Sequence, residues 1–151
     1  MKKEEKQNLE TLPRVTGLER SKLIMSFYLG DEIPISGDCG WGYGKEDAVV
    51  ITTEDSMKGV GFEYQFAKQR AELEVLELDD LYPERGNYFE NFKRLRQRLL
   101  VIDDVHYDVI EAEVTVTNDE DNETKYRTEC WFNVEKLFEG YSEILEGNED
   151  N

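Results

Sequence analysis

The sequence has few of the side chains from which metal and redox sites are usually built. Histidine occurs once, at position 106, and cysteine occurs twice, at positions 39 and 130. A single histidine excludes a multi-histidine metal site within one chain. Two cysteines do not supply the disulfide framework of a small secreted domain, so we expect both thiols to be reduced. We therefore expect no cofactor and no bound metal.

Long apolar runs are missing as well. No run approaches the ~18 residues that a helix needs to cross a membrane. Residues 1–10 are charged and contain no apolar segment of the kind that directs export. These features predict a cytoplasmic protein with no membrane association.

Positive charge is scarce, with 18 Lys and Arg against 35 Asp and Glu and a formal net charge of −17. Residues 106–151 alone hold three basic and fourteen acidic side chains. Such a surface repels nucleic acid and anionic membranes and attracts basic molecules. We expect a basic protein partner and no direct nucleic-acid binding. The alternative is that the charge only keeps the protein soluble.

The length of 151 residues predicts one domain, large enough for a substantial core. We expect a flexible N-terminal segment over residues 1–15, an α+β domain over residues 16–146 and a disordered acidic tail over residues 147–151. The N-terminal segment has a thin apolar stripe and ends near a proline, and the tail is strongly acidic.

Residues 92–134 predict a meander of three antiparallel strands, around which the domain is organised. Two turn residues, Asp103 and Asp104, separate the first two strands, as in a tight hairpin. Counting outward from this turn predicts that Arg96 lies opposite Glu111, Gln97 opposite Ile110, Leu95 opposite Ala112 and Arg94 opposite Glu113. Even-numbered apolar residues of the second and third strands share one face, which requires an odd number of loop residues between them, three or five.

The other elements complete an α+β fold with an antiparallel, meander-rich sheet. Short strands are predicted over residues 22–29, 32–36 and 47–53. The pattern over residues 57–72 fits either a helix or a strand. Most residues there are strong helix formers, but apolar residues alternate as in a strand at Val60, Phe62, Tyr64 and Phe66. We favour a helix there, then a strand over residues 73–78 and a loop over residues 79–88. A C-terminal helix over residues 134–146 begins after the N-cap residue Asn133 and has apolar residues at the helical period.

A glycine-rich loop over residues 37–44 is the first candidate site. Four glycines in eight residues allow close backbone approach to a ligand, but the phosphate-binding patterns that open a helix are absent. Trp41 and Tyr43 are candidate binding residues, because exposed aromatics are enriched at interaction hot spots. The alternative is a bent loop whose aromatic residues cap the core.

A second candidate consists of Asp104, His106 and Asp108, which alternate along a predicted strand and could converge on one face. A histidine between carboxylates is able to act as a general base, so these three are the candidate catalytic residues. The alternative is an exposed polar strip beside a hairpin.

The loop over residues 118–123 is the third candidate, since it is dense in side-chain oxygens. It lacks the glycine and the closing glutamate of a helix–loop–helix calcium site. A solvated turn fits better, and Glu120 and Asp121 are candidate contacts for a basic partner.

Together these patterns predict a small acidic, non-enzymatic binding protein. Inhibitors, immunity proteins and antitoxins that occlude a basic macromolecule have this charge pattern. The alternatives are an enzyme that depends on carboxylates and His106, and a structural or oligomerising module.

Overall fold

A four-stranded mixed sheet carries one long helix, which confirms the predicted α+β class. The computed structural model describes residues 11–15 and 40–137. Its strand order is β1-β4-β3-β2, with β1 parallel to β4 and the other neighbours antiparallel. The elements are β1 (Val49–Val50), α1 (Ser56–Leu81), a 3-10 turn (Pro83–Arg85), β2 (Tyr88–Ile102), β3 (Val105–Thr117) and β4 (Glu123–Asn133).

The hairpin between β2 and β3 is closed by the two predicted turn residues. Asp103 and Asp104 both have positive φ, 52° and 64°. This is the left-handed pair that matches the twist of a two-residue hairpin, and aspartate tolerates it better than most residues. Ile102 therefore lies opposite Val105, and the predicted pairs of Arg96 with Glu111 and Gln97 with Ile110 are confirmed.

A β-bulge at Leu95 makes the predicted register wrong beyond Arg96. Arg94 lies opposite Ala112 rather than Glu113, and Lys93 takes the position opposite Glu113. The extra residue changes which face the start of β2 presents. It turns Phe92 toward the core, where this side chain is 6% exposed and its ring meets Tyr64 edge-on at 5.5 Å.

The helix α1 covers the face of β3 and β4 that carries the even-numbered apolar residues. Phe66 is its central contact, with ring centroids 6.0 Å from Phe132 and 5.9 Å from Trp41. The predicted strand over residues 73–78 is wrong, because the helix continues to Leu81. Its buried residues Ala71, Val75 and Leu78 keep the helical spacing and reach the same core.

The loop between β3 and β4 contains five residues, 118–122, so the predicted odd number is confirmed. Asn118 Oδ1 accepts hydrogen bonds from the backbone N–H of Glu120 at 2.9 Å and of Asn122 at 3.1 Å. The N–H of Asp119 donates to the carbonyl of Arg85 at 3.0 Å. These bonds hold the loop against the turn that follows α1.

The ends of the chain are described only in part. Asn133 Oδ1 accepts from the N–H of Glu135 at 3.1 Å, which fits the predicted cap, and residues 135–137 are helical. The strands predicted over residues 22–29 and 32–36, the rest of the C-terminal helix and the acidic tail lie outside the described residues. Among the helices that are described, none has the length and apolarity needed to pass through a bilayer.

Candidate functional site

Residues 40–44 of the glycine-rich loop lie along the edge of β4, and their aromatic side chains turn inward, while residues 37–39 lie outside the described residues. Gly42 has a φ of 87°, and its carbonyl accepts from the N–H of Trp131 at 2.7 Å. A Cβ on Gly42 would stand 2.9 Å from the Trp131 carbonyl oxygen, so a side chain there is excluded. Trp41 is only 8% exposed and Tyr43 is half-buried. The loop thus has the arrangement in which its aromatic residues cap the core.

A buried arginine on the helix links this loop to the sheet through hydrogen bonds. Arg70, on α1, is 1% exposed. Its guanidinium donates to the Trp41 carbonyl at 3.2 Å, to Thr128 Oγ1 at 2.8 Å and to the Glu129 carbonyl at 2.6 Å. Its Nε lies 3.4 Å from Glu74 Oε2, one helical turn later. One side chain therefore joins α1, β4 and the glycine-rich loop.

Tyr43 packs against two guanidinium groups and completes this network. Its ring centroid is 4.2 Å from the Cζ of Arg70 and 4.7 Å from the Cζ of Arg14. The hydroxyl donates to Glu74 Oε2 at 2.6 Å and accepts from the N–H of Val15 at 2.7 Å. Burial, together with the nearby Glu74 carboxylate, raises the pKa of the Tyr43 hydroxyl far above its ordinary value.

A cleft of ≈ 260 Å³ opens beside this network at the edge of β4. We call it the edge cleft. Glu74 is buried beside it, and burial raises the pKa of that carboxyl while Arg70 and the Tyr43 hydroxyl oppose the shift. Its charged and aromatic lining residues are Arg14, Tyr43, Glu74, Glu111, Arg127 and Glu129.

The outer carboxylates of the edge cleft belong to a charge ladder across β2, β3 and β4. Glu111 Oε2 lies 2.6 Å from Arg96 Nη2 and 3.0 Å from Arg98 Nε. Arg98 Nη2 in turn lies 3.1 Å from Glu129 Oε2. The hydrogen bond from Arg96 lowers the pKa of Glu111. The register predicted from the sequence had already placed Arg96 opposite Glu111.

A second buried polar cluster joins α1 to β3 through two carboxyl groups. Glu63 is fully buried and Asp108 is 9% exposed. Burial raises the pKa of Glu63 to about 10, and the nearby Asp108 carboxyl adds to the shift. From β2, Gln97 Nε2 donates a hydrogen bond to Asp108 Oδ2. Asp108 thus lies between a buried carboxyl group and an amide.

The three candidate catalytic residues have different surroundings. The His106 ring, through Nδ1, contacts Glu135, whose Oε2 also accepts from the His106 backbone N–H at 2.7 Å. These bonds lower the pKa of Glu135. Asp108 faces Glu63 and Gln97, whereas Asp104 is exposed in the hairpin turn. The contacts described for the three residues thus lead to different partners.

Glu120 and Asp121 lie in an exposed group of carboxylates at the end of the sheet where α1 finishes. The group combines the last turn of α1, the turn after it, the start of β2 and the loop between β3 and β4. We call it the acidic end, and it consists of Asp80, Glu84, Glu90, Asp119, Glu120, Asp121 and Glu123.

Sequence reasoning identified Glu120 and Asp121 but missed both buried clusters. For the cluster around Arg70, the sequence offers only the i, i+4 spacing of Arg70 and Glu74. The same spacing is common on exposed helices, so it does not indicate a buried pair. Glu63 gives no signal, because its partner Asp108 lies 45 positions away on another element. Within residues 11–15 and 40–137, no three His, Cys, Asp or Glu side chains are grouped as metal ligands.

Comparison with known proteins supplies no family for this chain, since no family model, curated protein or solved structure matches it.

Proposed function

We propose that the chain is a small acidic, non-enzymatic binding protein that receives a basic macromolecular partner at its acidic end. The observation that carries the proposal is the state of the seven carboxylates there. Within the described residues, none of the seven forms an ion pair. Their charge is therefore available to a cationic surface.

The backbone of α1 strengthens the field at this end. A helix C-terminus carries roughly half a negative charge, so basic residues are favoured in the last turn. Here the last turn contains no basic residue and instead holds Asp79 and Asp80. This arrangement costs stability, and departures of this kind from local folding rules are expected at functional positions. We attribute the retention of these acidic residues, despite the lost stability, to a gain in partner binding.

The acidic end is also held in a defined shape. Asn118 fixes the loop between β3 and β4, and the Asp119 N–H joins that loop to the turn after α1. The N–H of Asn87 donates to Asp79 Oδ1 at 3.0 Å and fixes the start of β2 in the same way. A prearranged charged surface loses less conformational entropy when it binds.

The mechanism proposed is electrostatic steering followed by occlusion of the partner's basic cleft. Long-range attraction raises the association rate of oppositely charged proteins, and the effect falls as salt screens the charges. Inhibitors, immunity proteins and antitoxins directed against basic enzymes work on this principle. A cytoplasmic location belongs to the same proposal.

The test is capture of a partner by the full chain at low salt, compared between two triple variants. The first variant, Asp119→Asn with Glu120→Gln and Asp121→Asn, removes three charges from the acidic end without changing side-chain shape. The matched control, Glu46→Gln with Glu54→Gln and Asp104→Asn, removes three exposed charges from the other end of the molecule.

We expect a stoichiometric basic protein to be captured by the native chain and the control, and to associate far more slowly with the first variant. The association rate should also fall steeply with added salt. Equal association of both variants, or a rate that does not respond to salt, would contradict the proposal.

A further inference from the structure

The edge cleft combines arginines with carboxylates that are already engaged by other arginines. Three carboxylates line it, and each is already in contact with a guanidinium. Glu74 pairs with Arg70, Glu111 pairs with Arg96 and Arg98, and Glu129 pairs with Arg98. The three negative charges are thus balanced by three arginines, Arg70, Arg96 and Arg98.

Two other guanidiniums line the cleft itself, whereas Arg70, Arg96 and Arg98 do not. Arg14 and Arg127 both belong to its lining, and neither has an ion-pair partner among residues 11–15 and 40–137. Arg14 acts electrostatically on Glu74 and Arg127 acts on Glu111, but neither guanidinium lies within ion-pair distance of these carboxylates, so their donors are not held by them.

We propose that the edge cleft binds a small oxyanion, a carboxylate or a phosphate, between Arg14 and Arg127. Guanidinium groups bind both anions through charge-assisted hydrogen bonds. Thr128 adds a third donor, because its Oγ1 accepts from Arg70 and keeps its own hydroxyl proton for another acceptor. The Tyr43 hydroxyl is already committed to Glu74 and Val15.

The size and rigidity of the edge cleft fit this class of ligand. Its volume of ≈ 260 Å³ is below the ~300–1,000 Å³ of pockets that take drug-sized ligands, which favours a small anion over a larger molecule. The Arg14 guanidinium stacks on the Tyr43 ring, which also contacts Arg70, so the Arg14 guanidinium is already oriented. The binding site is independent of the acidic end, since none of the seven carboxylates there lines it.

The experiment titrates the full chain with inorganic phosphate and, separately, with succinate, at constant ionic strength set by sodium chloride. Calorimetry and the thermal midpoint are the two readouts. We expect saturable binding of at least one anion, and the tighter of the two identifies the ligand as phosphate or carboxylate. An anion that bridges Arg14 and Arg127 also raises the thermal midpoint, because it links residues 11–15 to β4.

Arg127→Gln and Arg14→Gln should each weaken binding by about tenfold or more, since each removes a charged donor. Arg94→Gln is the matched control, because Arg94 is exposed, donates to Gln97 at 3.1 Å and does not line the edge cleft. Circular dichroism confirms that the variants fold. The proposal is overturned if neither anion saturates, or if Arg94→Gln weakens binding as much as Arg127→Gln does.

Discussion

Glu63 on α1 and Asp108 on β3 are neighbouring buried carboxyl groups, and burial raises the pKa of Glu63. Burial is the larger cause of this shift, and the nearby Asp108 carboxyl adds to it. Two carboxylates close together do not both ionise readily, and the more buried one retains the proton. The raised pKa therefore makes the free energy of unfolding depend on pH.

Replacing Glu63 with Gln should stabilise the protein above neutral pH. The pKa of Glu63 is about 10 in the folded chain against an ordinary value of 4.5, so between these values only the folded state keeps the proton. The wild-type free energy of unfolding then falls as pH rises, and the stability is lost as pH passes through the folded pKa. Glutamine keeps a donor for Asp108 and does not titrate.

Urea denaturation from pH 6 to pH 9 measures this difference. The advantage of Glu63→Gln over wild type should grow with pH, with a limiting slope of about 1.4 kcal/mol per pH unit. Glu77→Gln, on the same helix, controls for the loss of one carboxyl group. A difference that stays constant over this range would show that Glu63 is ionised in the folded chain.

Replacing Arg70 with Met should destabilise the protein by about 3–5 kcal/mol, the range for breaking a buried ion pair. The variant leaves Glu74 without its counter-ion and removes the donor to three oxygens, on Trp41, Thr128 and Glu129. The double variant Arg70→Met with Glu74→Met should regain part of the loss, because it removes both charges.

Chemical denaturation of the two single variants and the double variant gives the coupling energy. Lys68→Met, a half-buried lysine on the same helix, is the control and should cost far less. A loss below about 1 kcal/mol for Arg70→Met would mean that Arg70 is solvated rather than buried.

Replacing Asp104 with Gly should stabilise the hairpin by up to about 1 kcal/mol, because glycine adopts a positive φ without steric cost. The φ of Asp104 is 64°. Glu120→Gly is the control, since Glu120 is exposed and is not among the residues with positive φ. If both variants lower the urea midpoint equally, strain at Asp104 is not relieved by glycine.

Replacing Asp80 with Lys should raise stability by about 0.3–1 kcal/mol, since it places a positive charge at the negative end of α1. The same variant should slow association with a basic partner. Asp55→Lys, at the other end of the helix, should lower stability for the same electrostatic reason. Thermal denaturation at low salt measures both, and a shift of the same sign in the two variants would exclude the helix dipole as the cause.

The hairpin between β2 and β3 was predictable because residues close together in the sequence determine its turn and register. Two aspartates between apolar runs set the turn, and counting from the turn set the pairs near it. The bulge at Leu95 was not predictable in this way, since its cause is the burial of Phe92 against Tyr64 on a distant helix. Local counting carries no information about such a contact.

The length of α1 and the buried network show the same limit. Residues 73–78 contain a short apolar pattern that suits a strand, but their helix-forming residues and the core beneath them extend α1 to Leu81. Arg70 resembles any exposed helical arginine until Trp41, Thr128 and Glu129 surround it. Tertiary contacts decide both features.

Because Cys130 is buried, the rate of its reaction with alkylating reagents reports on local opening of the folded chain. The thiol is 1% exposed beneath Trp41, and burial raises its pKa to about 12. Alkylating reagents attack the thiolate, so the folded protein should react with them only while β4 is transiently detached. In a Cys39→Ser background, the rate at which iodoacetamide alkylates Cys130 therefore measures how often β4 detaches from the sheet.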